Sequence, residues 1–129
     1  MQRAELYCAY LQEEGYGAKM AESGNIRFKY EGLKLYIPIS EDDDEYFLLL
    51  CPNFFKIEED KVSWALLSAA EITINAKVVK VFLNPDDSTN VSASFEMFCS
   101  SPEDVFPVFR RAFDAIKHAT ERFVEIFNR

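Results

Sequence analysis

Ile26-Arg27-Phe28-Lys29-Tyr30-Glu31-Gly32-Leu33-Lys34-Leu35-Tyr36-Ile37, running on through Pro38 to Ile39, is the stretch on which the fold turns. Ile26, Phe28 and Tyr30 alternate with Arg27, Lys29 and Glu31, which is the period of a strand with one buried face. Glu31-Gly32 is a tight turn. Leu33, Leu35, Ile37 and Ile39 then alternate again beyond it. The spacing predicts two half-buried strands joined by that turn.

Working outward, the segment from Gln2 to Glu14 places Ala4, Tyr7, Cys8 and Leu11 on one helical face. Gly15 and Gly17 stop that helix, and a short extended piece is expected around Ala18 to Glu22. On the other side, Tyr46-Phe47-Leu48-Leu49-Leu50-Cys51 shows no alternation, so this third strand needs cover on both faces. A second helix is expected from Lys61 to Ile74 with Asp60 as its N-cap. It carries no charge from Val62 to Ala70, so burial on more than one side is expected. Two strands follow, Val78 to Leu83 and Asn90 to Cys99, joined by Asn84-Pro85-Asp86-Asp87-Ser88. Ser101-Pro102-Glu103-Asp104 opens a final helix whose apolar stripe runs through Val105, Phe109, Ala112, Phe113, Ile116, Phe123 and Phe127. Pro107 should kink or delay its first turn. The fold class is thus α+β, a single domain over residues 1–129, in the order helix, three strands, helix, two strands, helix, with an antiparallel sheet packed by helices.

The composition fits one well-packed core. Of 129 residues, 49% are hydrophobic and 12 are Phe, which argues against disorder. The net charge of −8 disfavours nucleic acid and anionic membrane as partners. No apolar stretch of signal-peptide type follows Met1-Gln2-Arg3-Ala4-Glu5, and the longest apolar run falls far short of a membrane span, so a cytoplasmic protein is expected. Cys8, Cys51 and Cys99 are odd in number, widely spaced and set among apolar residues, which reads as three buried free thiols.

Candidate chemistry is sparse. The acidic loop Glu41-Asp42-Asp43-Asp44-Glu45 lacks the spacing of a calcium loop and reads as a solvated turn that guards the apolar strand after it. His118 is the only histidine, shares a helix side with Asp114 and Glu121, and reads as a surface residue rather than a metal ligand. There is no nucleophile elbow and no glycine-rich phosphate loop. No carboxylate pair stands out among 22 acidic residues. Neither metal nor cofactor is expected, and the protein is read as non-enzymatic.

What stands out is apolar surplus. With the helices on one face of the sheet, Ile26, Phe28, Leu35, Ile37, Phe95 and Met97 point into the core. Tyr36, Phe82, Phe98 and alternate residues of Tyr46 to Cys51 then point to the opposite face. Trp64 and Leu67 form the uncharged flank of the second helix. An apolar patch on an otherwise polar surface marks an interaction site, so Trp64, Leu67, Tyr36, Phe82 and Phe98 are the expected partner or dimer surface.

The order of elements resembles the type III secretion chaperones and the YbjN-like family, described as bacterial sensory transduction regulators. The resemblance is carried by Asn25 to Gly32, by Tyr46 to Cys51, by Ala69-Ala70-Glu71-Ile72-Thr73-Ile74-Asn75 leading into Ala76 to Val81, and by the stripe through Phe109, Phe113 and Ile116. The likeness to the secretion chaperones implies a small acidic dimer. For the secretion chaperones it further implies that an extended client segment is held. Neither family supplies catalytic residues. The expected function is a protein-interaction module acting as a homodimer. The alternatives are a secretion chaperone with one client, and a small enzyme or ligand sensor with an apolar pocket between the sheet and the last helix.

Overall fold

The computed structural model describes residues 2–39 and 42–129. Glu41, the first residue of the acidic run, lies outside them. Three helices, α1 (Arg3–Glu13), α2 (Val62–Asn75) and α3 (Phe109–Phe127), accompany six strands, β1 (Lys19–Met20), β2 (Ile26–Tyr30), β3 (Leu33–Ile37), β4 (Tyr46–Lys56), β5 (Val79–Asn84) and β6 (Asp87–Phe98). The strands form one antiparallel sheet in the order β1-β2-β3-β4-β6-β5. No helix among the described residues is long and apolar enough to cross a membrane.

Local sequence explains most of the joints. Glu31 and Gly32 both take positive φ (47° and 88°), as a two-residue hairpin turn with the twist of its strands requires. At the end of α1, Gly15 at φ 89° lets the Tyr16 amide return to the Leu11 carbonyl (3.0 Å). The last helix starts later than its sequence signal. Ser101 and Asp104 form a reciprocal cap, but around the 3-10 turn Pro102–Asp104. Pro107 sits in a second such turn, Phe106–Val108, and the regular helix begins at Phe109. Asp60 does not cap α2. It lies inside the turn Glu59–Lys61, and Lys61 precedes the helix without a side-chain cap.

β4 also departs from its expected end at Cys51. Pro52 and Asn53 are poor strand residues, and the pairing with β6 slips between Cys51 and Phe55. Asn53 takes φ 51°, and its amide donates to the Ser92 hydroxyl (2.9 Å). The strand survives as a bulge, and this swings Phe54 and Phe55 onto Phe123 of α3, with ring centroids 5.7 and 5.8 Å apart.

One face of the sheet holds the core. Ile26, Phe28, Leu35, Ile37 and Phe95 are buried as expected, and Met97 is half-buried. The α3 stripe lies across them, with Phe113 against Phe28 (5.1 Å) and Tyr30 (5.2 Å). Tyr7 of α1 meets Phe47 at 5.3 Å. The Tyr7 hydroxyl is buried with no hydrogen-bond partner of good geometry among the described residues, only the weak Cys99 thiol beside it. Burial, reinforced by the neighbouring Cys99 thiol, holds its pKa well above the phenol range. Such a group costs desolvation without return. Tyr7→Phe should therefore raise stability by up to about 1 kcal/mol in urea unfolding. A loss of stability would mean that the hydroxyl is satisfied after all.

Candidate functional site

The other face of the sheet carries no helix. The strand registers place Lys19, Arg27, Tyr36, Leu50, Ser94 and Lys80 in one row across all six strands. Neighbouring rows add Lys29 opposite Lys34, Leu48 opposite Glu96, Phe82 opposite Ser92, and Tyr46 opposite Phe98. Tyr36 and Phe82 are half-buried on this face and Phe98 is 83% exposed, so all three lie where the alternation puts them. They do not form one patch. Tyr36 adjoins Leu50 in the middle of the sheet, whereas Phe98 and Tyr46 meet at one end (6.3 Å).

Glu96 is an acid on this face, opposite Leu48. It accepts a hydrogen bond from the Tyr46 hydroxyl and pairs with Lys80 at 2.7 Å. Lys80, and then Tyr46, hold its pKa below the usual carboxylate range. Burial and the bond to Glu96 push Tyr46 up to about 12. At the β1-β2-β3 end the charges are all basic: Lys19, Arg27, Lys29 and Lys34. None of the four makes an ion pair among the described residues. Sequence reading passed over this cluster, seeing Arg27 and Lys29 only as the polar half of an alternation. The clue lay in their sign, since four of the chain's 14 cations share one end of this sheet face.

α2 lies along the β5 edge of the sheet. It turns Ala65, Ser68, Ala69 and Ile72 inward and leaves Leu66, Leu67 and Ile74 at 53%, 64% and 80% exposure. Of the expected burial on more than one side, the sides toward β5 and α3 are covered, while the side carrying Leu66, Leu67 and Ile74 stays open. Two side chains of α2 have defined tasks. The Thr73 hydroxyl donates to the Val81 carbonyl (3.2 Å) and accepts from the Val81 amide (2.9 Å), so the helix covers the exposed edge of β5. The Trp64 indole donates to the Phe127 carbonyl (2.8 Å) and caps the end of α3. Trp64 thus belongs partly to the fold, while Leu67 faces solvent.

A cleft of about 670 Å³ opens between α3 and the end of the sheet, floored by Phe95, Met97, Val108 and Ala112 with Arg111 and His118 at its rim. Asp114 accepts from the Tyr30 hydroxyl and lies beside Arg110, and it makes no ion pair with His118. No group of three or more His, Cys, Asp or Glu able to hold a metal occurs among the described residues. Cys8, Cys51 and Cys99 are buried and free. Burial raises all three thiols, that of Cys51 to about 11, which leaves them protonated and unreactive at neutral pH.

No family model matches the chain, and no curated protein matches it. Solved structures do share its fold. YbjN from E. coli, described as a candidate transcription regulator, superimposes with a TM-score of 0.70 at 12% identity, covering 90% of this chain and 86% of that one. An uncharacterized protein from Methanothermobacter thermautotrophicus gives 0.63 at 16% identity, over 98% and 99%. A chain of the HopA1–SchA chaperone–effector complex gives 0.62 at 15%, over 97% and 92%. At such identities the likeness concerns the fold alone.

Proposed function

We propose that this protein is a non-enzymatic, cytoplasmic interaction module that pairs with a second copy of itself through the outer face of α2 and presents its open sheet face to a protein partner. The observation that carries the reading is the solvent-facing row Leu66, Leu67 and Ile74 on a helix with no charge from Val62 to Ala70. The molecule has a net charge of −8, so most of its surface repels a second copy. An uncharged helix face escapes that repulsion, and a two-fold contact sets it against itself. The likeness to a chaperone solved with its effector supports partner binding.

Light scattering at micromolar concentration should give the mass of a dimer. Leu67→Glu combined with Ile74→Glu should give a monomer with unchanged circular dichroism, since both side chains are exposed. A monomeric mass for the unmodified protein sinks the dimer. Trp64→Glu is a poorer probe, because it also removes the bond that ends α3.

A further inference from the structure

From the open sheet face, and resting on the interaction reading above, we infer that the partner docks an extended, acidic segment on the β1-β2-β3 end of the sheet, its carboxylates meeting Lys19, Arg27, Lys29 and Lys34 and its apolar side chains lying on Tyr36 and Leu50. The starting point is a charge imbalance. The chain has 22 acidic and 14 basic residues, yet every charged side chain on this part of the face is basic. Random placement of a net-acidic sequence would put carboxylates here first.

The second point is that this arrangement costs the fold something. Lys29 stands directly opposite Lys34, and Lys19 directly opposite Arg27. Like charges facing each other across antiparallel strands are destabilising. Lys61, Lys77, Arg111 and Arg129 also lack ion pairs among the described residues, but the chain gives other cations partners: Lys80 has Glu96 (2.7 Å), Lys117 has Glu31 (3.1 Å) and Arg122 has Glu125 (3.1 Å). Here it does not, among the described residues. An anion from outside would relieve the repulsion and supply charge-assisted hydrogen bonds.

The third point is shape. A shallow cleft of about 480 Å³ runs between Tyr16 and Gly17 on one side and Lys19, Arg27, Lys34 and Tyr36 on the other. Beyond the cleft, Leu50 stands next to Tyr36 in the same register row, and Leu48 lies one row on. The patch spans three strands, about 10 Å at the usual inter-strand spacing. That width suits one extended segment whose alternate residues point at the sheet. A nucleic-acid strand carries a charge at every step and would run off the patch onto an acidic surface. The observations therefore favour a protein segment.

The test uses the full chain and a fluorescein-labelled peptide of about ten residues, near the length of a long strand, with glutamate and leucine taking turns at every second position and serine between them, so that both can face the sheet. Fluorescence anisotropy should show binding that weakens as salt is raised. The same peptide with lysine for glutamate should not bind, and a single-stranded oligonucleotide should bind more weakly than the acidic peptide. Lys29→Glu and Arg27→Glu should each reduce affinity about tenfold, the effect of losing one charge-assisted contact. Both should leave the thermal midpoint unchanged or raised, because each turns a repulsive cross-strand pair into an attractive one. A merely structural role for these side chains would not lower binding while raising stability. Equal binding of the lysine peptide, tighter binding of the oligonucleotide, or unaltered affinity in both variants overturns the inference. The Leu67→Glu, Ile74→Glu protein should bind the peptide as the unmodified chain does. A dimer that ignores the peptide thus refutes the acidic segment alone, and a monomer that binds it refutes the dimer alone.

Discussion

Phe113→Ala should cost about 3–5 kcal/mol, the range for removing a fully buried phenylalanine. The ring is 0% exposed and touches Tyr16, Phe28, Tyr30 and Phe109, with centroids between 5.1 and 5.4 Å away. It is where α3, the β2-β3 hairpin and the segment after α1 meet. Four aromatic neighbours held by three separate segments cannot close around an alanine, so the cavity persists and the upper half of the range applies. A domain of this size holds roughly 5–15 kcal/mol in all. The thermal midpoint should fall by roughly 10–20 °C. Phe113→Leu, which keeps most of the volume, should cost less than half as much. A midpoint shift under a few degrees for the alanine variant would mean that this aromatic cluster is not the keystone of the core.

Thr73→Val should cost about 2 kcal/mol, a large effect for a residue on a helix surface. Valine keeps the shape and removes both hydrogen bonds to Val81, whose backbone is otherwise at the edge of the sheet. Thr73 is exposed but its two bonds are part-buried, so valine leaves an amide and a carbonyl together with little water in reach. Thr73→Ser restores the hydroxyl and should recover most of the loss. Urea midpoints for the three proteins decide the matter. If valine and serine behave alike, the contact is packing rather than hydrogen bonding.

Much of the fold was legible because it depends on short-range pattern. Ile26 to Ile37 carries its period and its turn within a dozen residues, and the structure follows it pair by pair. Pro107 announces the late start of α3 by what proline cannot do. The misreadings share a different cause. Pro52 and Asn53 look like a strand end, yet β4 continues because the Ser92 hydroxyl, from a strand far along the chain, takes up the Asn53 amide. The outer face of α2 looks like core by composition, but burial needs a neighbour, and within one chain none arrives. The basic end of the sheet was hidden for a similar reason. Lys19 joins Arg27 only through the two-residue strand β1, whose register no local period announces.

The pairing of β4 with β6 has a consequence in time. Each other strand contact lies within a local hairpin or a short connection, so β1 to β4 and β5 with β6 are two half-sheets that can form early. The seam between them lies inside the finished sheet, between its fourth and fifth strands, and it closes only after α2 and β5 have been brought round. Until then β4 is a free edge with Tyr46 to Cys51 apolar on both sides. Asp42 to Glu45 stand just ahead of that edge, exposed and negative. Their value is greatest in the interval before the seam closes, when repulsion between unfinished chains keeps one β4 from meeting another.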